Sequence, residues 1–115
     1  MSNYHEPMEL LDEKTRNISR AINSLKEELE AIDWYNQRVA VCQDSQLKAV
    51  LAHNRDEEIE HACMALEWLR RNMDVWDEEL RTYLFTQGDL TNLEEGEVEE
   101  ETPSGSNSLG IGSLK

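Results

Sequence analysis

The sequence predicts an all-α protein, on three observations. Residues 8–87 form a run of 80 positions without a glycine or a proline, whereas sheet proteins draw on residues that tolerate positive φ to make their turns. The run is rich in Glu, Leu, Ala, Arg and Gln, which favour helix. Its apolar residues also recur at heptad spacing, at Leu11, Ile18, Leu25, Ile32 and Val39. That is the stripe of a coiled coil or a helical bundle.

Helix 1 is expected to begin at Pro7, since proline suits a first helical turn. Met8, Ile22 and Leu29 fill the second seam position of its stripe. Helix 2 carries Leu47, Val50, Leu51, Ala65, Trp68 and Leu69 on one face. Between the two, Cys42-Gln43-Asp44-Ser45 offers an N-cap. No glycine or proline forces a turn there, so one long helix competes with a hairpin. A short third helix fits Asp74 to Phe85, with Val75, Trp76, Leu80, Tyr83 and Leu84 apolar and Gly88 as its stop. Residues 1–87 thus form a helical body. Residues 88–107, with six glutamates from Glu94 to Glu101 followed by a Ser/Gly-containing stretch, have the composition of a disordered acidic linker. Residues 108–115 end the chain.

A length of 115 residues and 13.3 kDa suits one small domain. The 25 acidic residues outnumber 11 basic ones, for a net charge of -14. This balance excludes the counterion-releasing basic surface that nucleic-acid binding needs and favours attraction of cations. No apolar run approaches the roughly 20 residues of a membrane span, and no signal peptide is expected at Met1. Cys42 and Cys63 are too isolated for a disulfide framework or a paired-cysteine metal site, which points to a reducing compartment. A body this small buries a modest core, and oligomerisation is the natural remedy.

At about 100° per residue, Asn54, Glu58 and His61 fall in the middle of the helix 2 stripe. Glu28 lies at the edge of the helix 1 stripe, with Tyr35 one heptad further on. Burying a carboxylate costs several kcal/mol without compensation, and neither stripe has a Lys or Arg at its centre. A metal ion would compensate. Glu58 and His61 stand at i, i+3, their β-carbons roughly 5–6 Å apart on one face. A Glu-x-x-His pair with a lone Glu from a neighbouring helix is the unit of ferritin-like di-iron bundles, which need two of each. This chain has one of each, and a twofold partner would complete the set. Four carboxylates then balance two Fe²⁺ ions. These residue types suit iron or manganese better than structural zinc. The plainer alternative is a chance Glu-x-x-His on an acidic helix. On the opposite side of helix 1, Asn23, Glu27, Glu30 and Trp34 form either an ordinary solvated face or an outer cation-attracting group.

The runs Glu27-Glu28-Leu29-Glu30-Ala31-Ile32-Asp33-Trp34-Tyr35 and Leu51-Ala52-His53-Asn54-Arg55-Asp56-Glu57-Glu58, with His61 and Leu66-Glu67-Trp68-Leu69-Arg70-Arg71-Asn72, resemble the encapsulated ferritins. These are ferritin-like cargo proteins of encapsulin nanocompartments. The final Ser108-Leu109-Gly110-Ile111-Gly112-Ser113-Leu114-Lys115 resembles their shell-targeting peptide: two apolar anchors on a flexible tether. The resemblance implies an antiparallel hairpin plus a short C-terminal helix, dimerising into a ferritin-like four-helix bundle, with dimers arranged in a ring of ten. It implies a ferroxidase that oxidises Fe²⁺ with oxygen for mineralisation inside the shell, and so a cytoplasmic location within that compartment. Glu28, Glu58 and His61 would be di-iron ligands, two ions per subunit pair, with Tyr35 beside them. Glu27, Glu30 and Trp34 would form the outer site through which metal arrives, and Ca²⁺ is a candidate occupant of such secondary acidic groups. Cys42 and Cys63 match no motif. Two rivals stand beside this reading: a non-catalytic acidic helical adaptor, and a rubrerythrin-like peroxide reductase.

Overall fold

The computed structural model describes residues 4–94, and these fall into two compact units, the first ending at Met73 and the second starting at Asp74. The first unit is a helical hairpin of α1 (Glu13–Val41) and α2 (Ser45–Asn72) packed against each other. No strand occurs among the described residues, and none of their helices is long and apolar enough to cross a membrane.

Helix 1 begins later than proline alone predicts. Pro7 precedes a single 3-10 turn, Met8–Leu10, after which Leu11 is extended at φ -92° and ψ 126°. The helix proper starts behind Asp12, whose side chain accepts a hydrogen bond from the Thr15 N–H at 2.8 Å. A short polar side chain that satisfies an orphaned N–H fixes a helix start more strongly than a favourable proline φ. That hydrogen bond is also the main reason the Asp12 carboxyl titrates below its ordinary range. Met8 and Leu11 therefore lie outside the helical stripe, and the segment is anchored by Arg16, whose Nη2 donates to the Met8 carbonyl at 2.7 Å.

The hairpin turn is Cys42, Gln43 and Asp44. The Cys42 N–H still donates to the Arg38 carbonyl at 2.9 Å, closing α1. Asp44 opens α2 by accepting from the Leu47 N–H at 2.8 Å. Residue patterns alone allow a turn or a continuous helix here and the family resemblance implies the hairpin; the hairpin is what forms, because Asp44, extended and with a capping carboxylate, cannot continue a helix. The turn divides the hairpin evenly: Glu28 lies 14 residues before Cys42, and Glu58 lies 14 after Asp44. Each arm is about 21 Å long at 1.5 Å per residue.

The hairpin shares one apolar seam and leaves a second uncovered. Ile18, Leu25, Ile32 and Val39 of α1 are half-buried, as are Leu51, Ala65 and Leu66 of α2, while Ala62 and Leu69 are buried. Ile22 and Leu29 remain 44% and 54% exposed, and Leu47, Val50 and Trp68 are exposed as well. Helix 2 ends in a charged cluster: Arg70 and Arg71 donate to Glu67 at 2.8 and 2.7 Å. These guanidinium bonds hold the Glu67 carboxyl well down, at about 2.

The second unit contains α3 (Asp74–Tyr83) and α4 (Leu90–Leu93). Helix α3 stops two residues before the predicted Phe85. The Leu84 N–H still reaches the Leu80 carbonyl, but Phe85 adopts φ 60°, a left-handed conformation unusual for an aromatic residue, and is 93% exposed. The Thr86 hydroxyl then donates to the Tyr83 carbonyl at 2.7 Å. Gly88, at φ 97°, turns the chain toward Asp89, which caps α4 through the Thr91 N–H. This short helix lies within the span that composition assigns to linker, and Leu93 is only 2% exposed. The rest of that span, and the terminal peptide from Ser108 to Lys115, lie outside the described residues.

A carboxyl held low in the folded chain contributes stability above its unfolded pKa, and the contribution is lost as pH falls through the folded value. Glu67→Gln is therefore expected to melt slightly below the parent at neutral pH, and circular-dichroism melts should show the gap closing between about pH 4.5 and pH 2. The effect is small because Glu67 is solvated.

Candidate metal centre

Glu28 on α1 faces Glu58 and His61 on α2 because the two arms are equal and because Glu58 and His61 share a helical face. The Nδ1 atom of His61 lies 3.6 Å from Glu28 Oε1 and 3.6 Å from Glu58 Oε1. One ligand-type atom from each residue falls within 4.8 Å of the other two, and among the described residues this is the one group of His, Cys, Asp or Glu so placed. The two glutamates are largely covered, with side chains 24% and 28% exposed, while His61 is 45% exposed. The centre is thus a half-open cup on the hairpin.

Its electrostatics are unbalanced in the absence of a cation. Glu58 is close enough to Glu28 to share a proton with it, and this contact, followed by burial and the Glu58 charge, pushes the Glu28 carboxyl above its ordinary range; His61 opposes the shift. With both glutamates ionised, Glu28 Oε1 is buried and has no hydrogen-bond donor. Buried polar atoms without partners are uncommon and costly. Two carboxylates, an imidazole and an orphaned oxygen fit a divalent cation, and the mixed O/N donor set suits iron or manganese.

A line of charges leads outward from His61. Its Nε2 lies 4.0 Å from Glu57 Oε1, and Glu57 Oε2 lies 3.7 Å from His53 Nε2. Sequence reading assigns no role to Glu57 or His53; the available signal is two successive i, i+4 steps, His53 to Glu57 and Glu57 to His61.

The remaining candidates are placed less centrally. Tyr35 is half-buried, with the Arg38 guanidinium carbon 5.2 Å from its ring centroid. Glu27, Glu30 and Trp34 are exposed, Trp34 by 51%, and they join no three-ligand cluster within the described chain. Asn54 is half-buried. Cys42 and Cys63 are free thiols, Cys63 exposed and Cys42 half-buried with Sγ 3.6 Å from the Asp44 carbonyl oxygen. Arg55 was missed: it is partly buried, and its Nη1 donates across the hairpin to Asn36 Oδ1 at 3.0 Å. A helical wheel assigns such a residue to solvent because it ignores the length of the side chain.

The chain matches the EncFtn-like family over residues 3–87. It is 56% identical to an encapsulated ferritin-like protein of Rhodospirillum rubrum, in an alignment covering 96% of this chain and 86% of the relative. It is 57% identical to a ferritin-like protein of Thermotoga maritima, over 93% of this chain and 90% of that one. A crystal structure of a protein from Nitrosomonas europaea superposes with a TM-score of 0.75 at 57% identity, covering 77% of this chain and 98% of the other. The helical hairpin, the Glu-x-x-His pair facing a lone glutamate and these similarities agree: the chain belongs to the EncFtn-like family of encapsulated ferritin-like proteins.

Proposed function

We propose that this protein is a ferroxidase cargo, oxidising Fe²⁺ to Fe³⁺ at a centre built from Glu28, Glu58 and His61 and completed by a twofold partner. The observation that carries the reading is the buried oxygen of Glu28 without a hydrogen-bond partner beside a second carboxylate, an arrangement that a cation stabilises. One hairpin supplies two carboxylates and one imidazole. A second hairpin related by a twofold axis brings the total to four and two, the donor set of ferritin-like di-iron bundles, and neutralises two Fe²⁺ ions. The uncovered seam of Ile22, Leu29, Leu47 and Val50 supports such pairing, because apolar helix faces this exposed are stabilised by a partner. The similarity to an encapsulated ferritin-like protein and to a ferritin-like protein supports an iron-related role inside a shell.

Each group in the cup has a distinct part. Glu28 and Glu58 would act as carboxylate donors when Fe²⁺ binds as substrate, its positive charge offsetting what raises the Glu28 carboxyl, and the orphaned oxygen would become a ligand. His61 must be neutral to donate from Nδ1, and Glu57 beside Nε2 favours the tautomer with its proton on Nε2. When two Fe²⁺ ions are held together, each supplies one electron to dioxygen. Glu27, Glu30 and Trp34 form an outer group on the way in, able to hold Fe²⁺ or Ca²⁺ weakly, and Tyr35 lies near the centre. The product accumulates inside the encapsulin shell, to which the Ser108–Lys115 peptide attaches the protein.

With Fe²⁺ in air, followed by ultraviolet absorbance, the full chain should oxidise iron well above the autoxidation background. Glu58→Ala and His61→Ala should each fall to that background while keeping their helical circular dichroism; equal rates in parent and variants would favour a non-catalytic adaptor. Faster turnover with peroxide than with oxygen would favour the reductase. Because ligands split between chains couple binding to assembly, mass photometry or native mass spectrometry should show larger species as Fe²⁺ is added. Removing residues 108–115 should abolish co-purification with co-expressed shell protein and leave iron oxidation unchanged.

A further inference from the structure

Glu28 and Glu58 meet only if α1 and α2 keep one register, and a polar tie between these helices lies one turn from Glu58. Arg55 Nη1 donates to Asn36 Oδ1 at 3.0 Å, and Arg55 Nε donates to Asp56 Oδ1 at 3.1 Å. The Arg55 side chain is 27% exposed, so its stem is laid across the seam, with Nε and Nη1 both committed. Resting on the reading of Glu28, Glu58 and His61 as a metal centre, we propose that Arg55 is a positioning residue. Its bond to Asn36 fixes the axial register of α1 against α2 and so sets the separation of the Glu28 and Glu58 carboxylates for a divalent cation.

The role is geometric rather than one of charge. Arg55 bonds to Asn36 and to its neighbour Asp56, which offsets its positive charge locally, and the groups that act on the Glu28 carboxyl are Glu58 and His61. The seam it crosses is made of Ile, Leu, Val and Ala side chains, whose contacts are individually weak and have no direction. Such a seam tolerates a fraction of an ångström of sliding, whereas metal–ligand distances tolerate about 0.2 Å. A directional bond close to the ligands therefore matters far more to metal binding than to folding. Asn36 is exposed, and a neutral amide there accepts from the guanidinium without adding another negative charge near the two glutamates.

The test uses the full chain, metal-free, titrated with Co²⁺ alone, whose visible absorption bands report coordination geometry. Arg55→Leu keeps the buried stem but loses the bond, and it should weaken Co²⁺ binding about tenfold, the low end for loss of an outer-shell partner, with altered bands. Asn36→Ala should do the same, and the double variant should be no worse than either single one, because both remove one interaction. Circular-dichroism melting of the metal-free variants should stay within a few degrees of the parent. Unchanged Co²⁺ affinity and bands in either single variant would overturn the proposal. So would additive losses in the double variant, or a loss of binding that merely tracks a loss of helix. If the parent chain itself binds no Co²⁺, the metal-centre reading fails instead; if the parent binds and the variants bind equally, the centre stands and Arg55 has no positioning role.

Discussion

Two like charges brought together without a basic partner are what the rest of this chain is arranged around. Glu28 and Glu58 approach from different helices and are largely covered, and among the described residues the ion-pairing partner beside them is His61, positive only when protonated. Hydrogen bonding with Glu58, partial burial and the Glu58 charge push the Glu28 carboxyl above its ordinary range. The Glu28 oxygen with no donor shows the same imbalance in hydrogen-bond terms. Such a pair, held on a hairpin of two capped helices, is what the proposed cation would stabilise.

The same arrangement explains why the hairpin alone looks unfinished. Two helices have one common face, and among the described residues of the first unit only Ala62 and Leu69 are buried apolar positions. The second seam, with Leu29 at 54% exposure, runs along the same helices as Glu28 and Glu58. In the proposed pairing, arrival of another hairpin would both cover that seam and complete the coordination set, which would couple folding energy to metal affinity.

Much of this was legible in the residues, and the reasons differ from place to place. Helical periodicity converts sequence spacing directly into a face, which is how Glu28, Glu58 and His61 could be grouped before any coordinates. The start of helix 1 was misplaced because proline and Asp12 give competing signals a few residues apart, and only the capping hydrogen bond to Thr15 decides between them. The turn at Cys42–Asp44 carries no glycine, so its signal is again a single carboxylate cap, at Asp44. Helix α4 was hidden by composition: four residues bounded by acids look like linker, and the burial of Leu93 depends on a tertiary contact that no local pattern encodes. Arg55 was invisible for another reason, since a wheel projection cannot show a long side chain bending back across a seam.

The even division of the hairpin also sets a rule for sequence change. Glu28 and Glu58 stand at the same count from the turn, so one residue gained in a single arm would shift its carboxylate by 1.5 Å and swing it through about 100°. Length changes between these two positions are therefore compatible with the facing pair only when both arms gain or lose the same near-whole number of turns, about seven residues each. Beyond Asn72 no such restriction applies. Divergence in this lineage should accordingly be recorded as substitutions inside the arms and as insertions or deletions outside them.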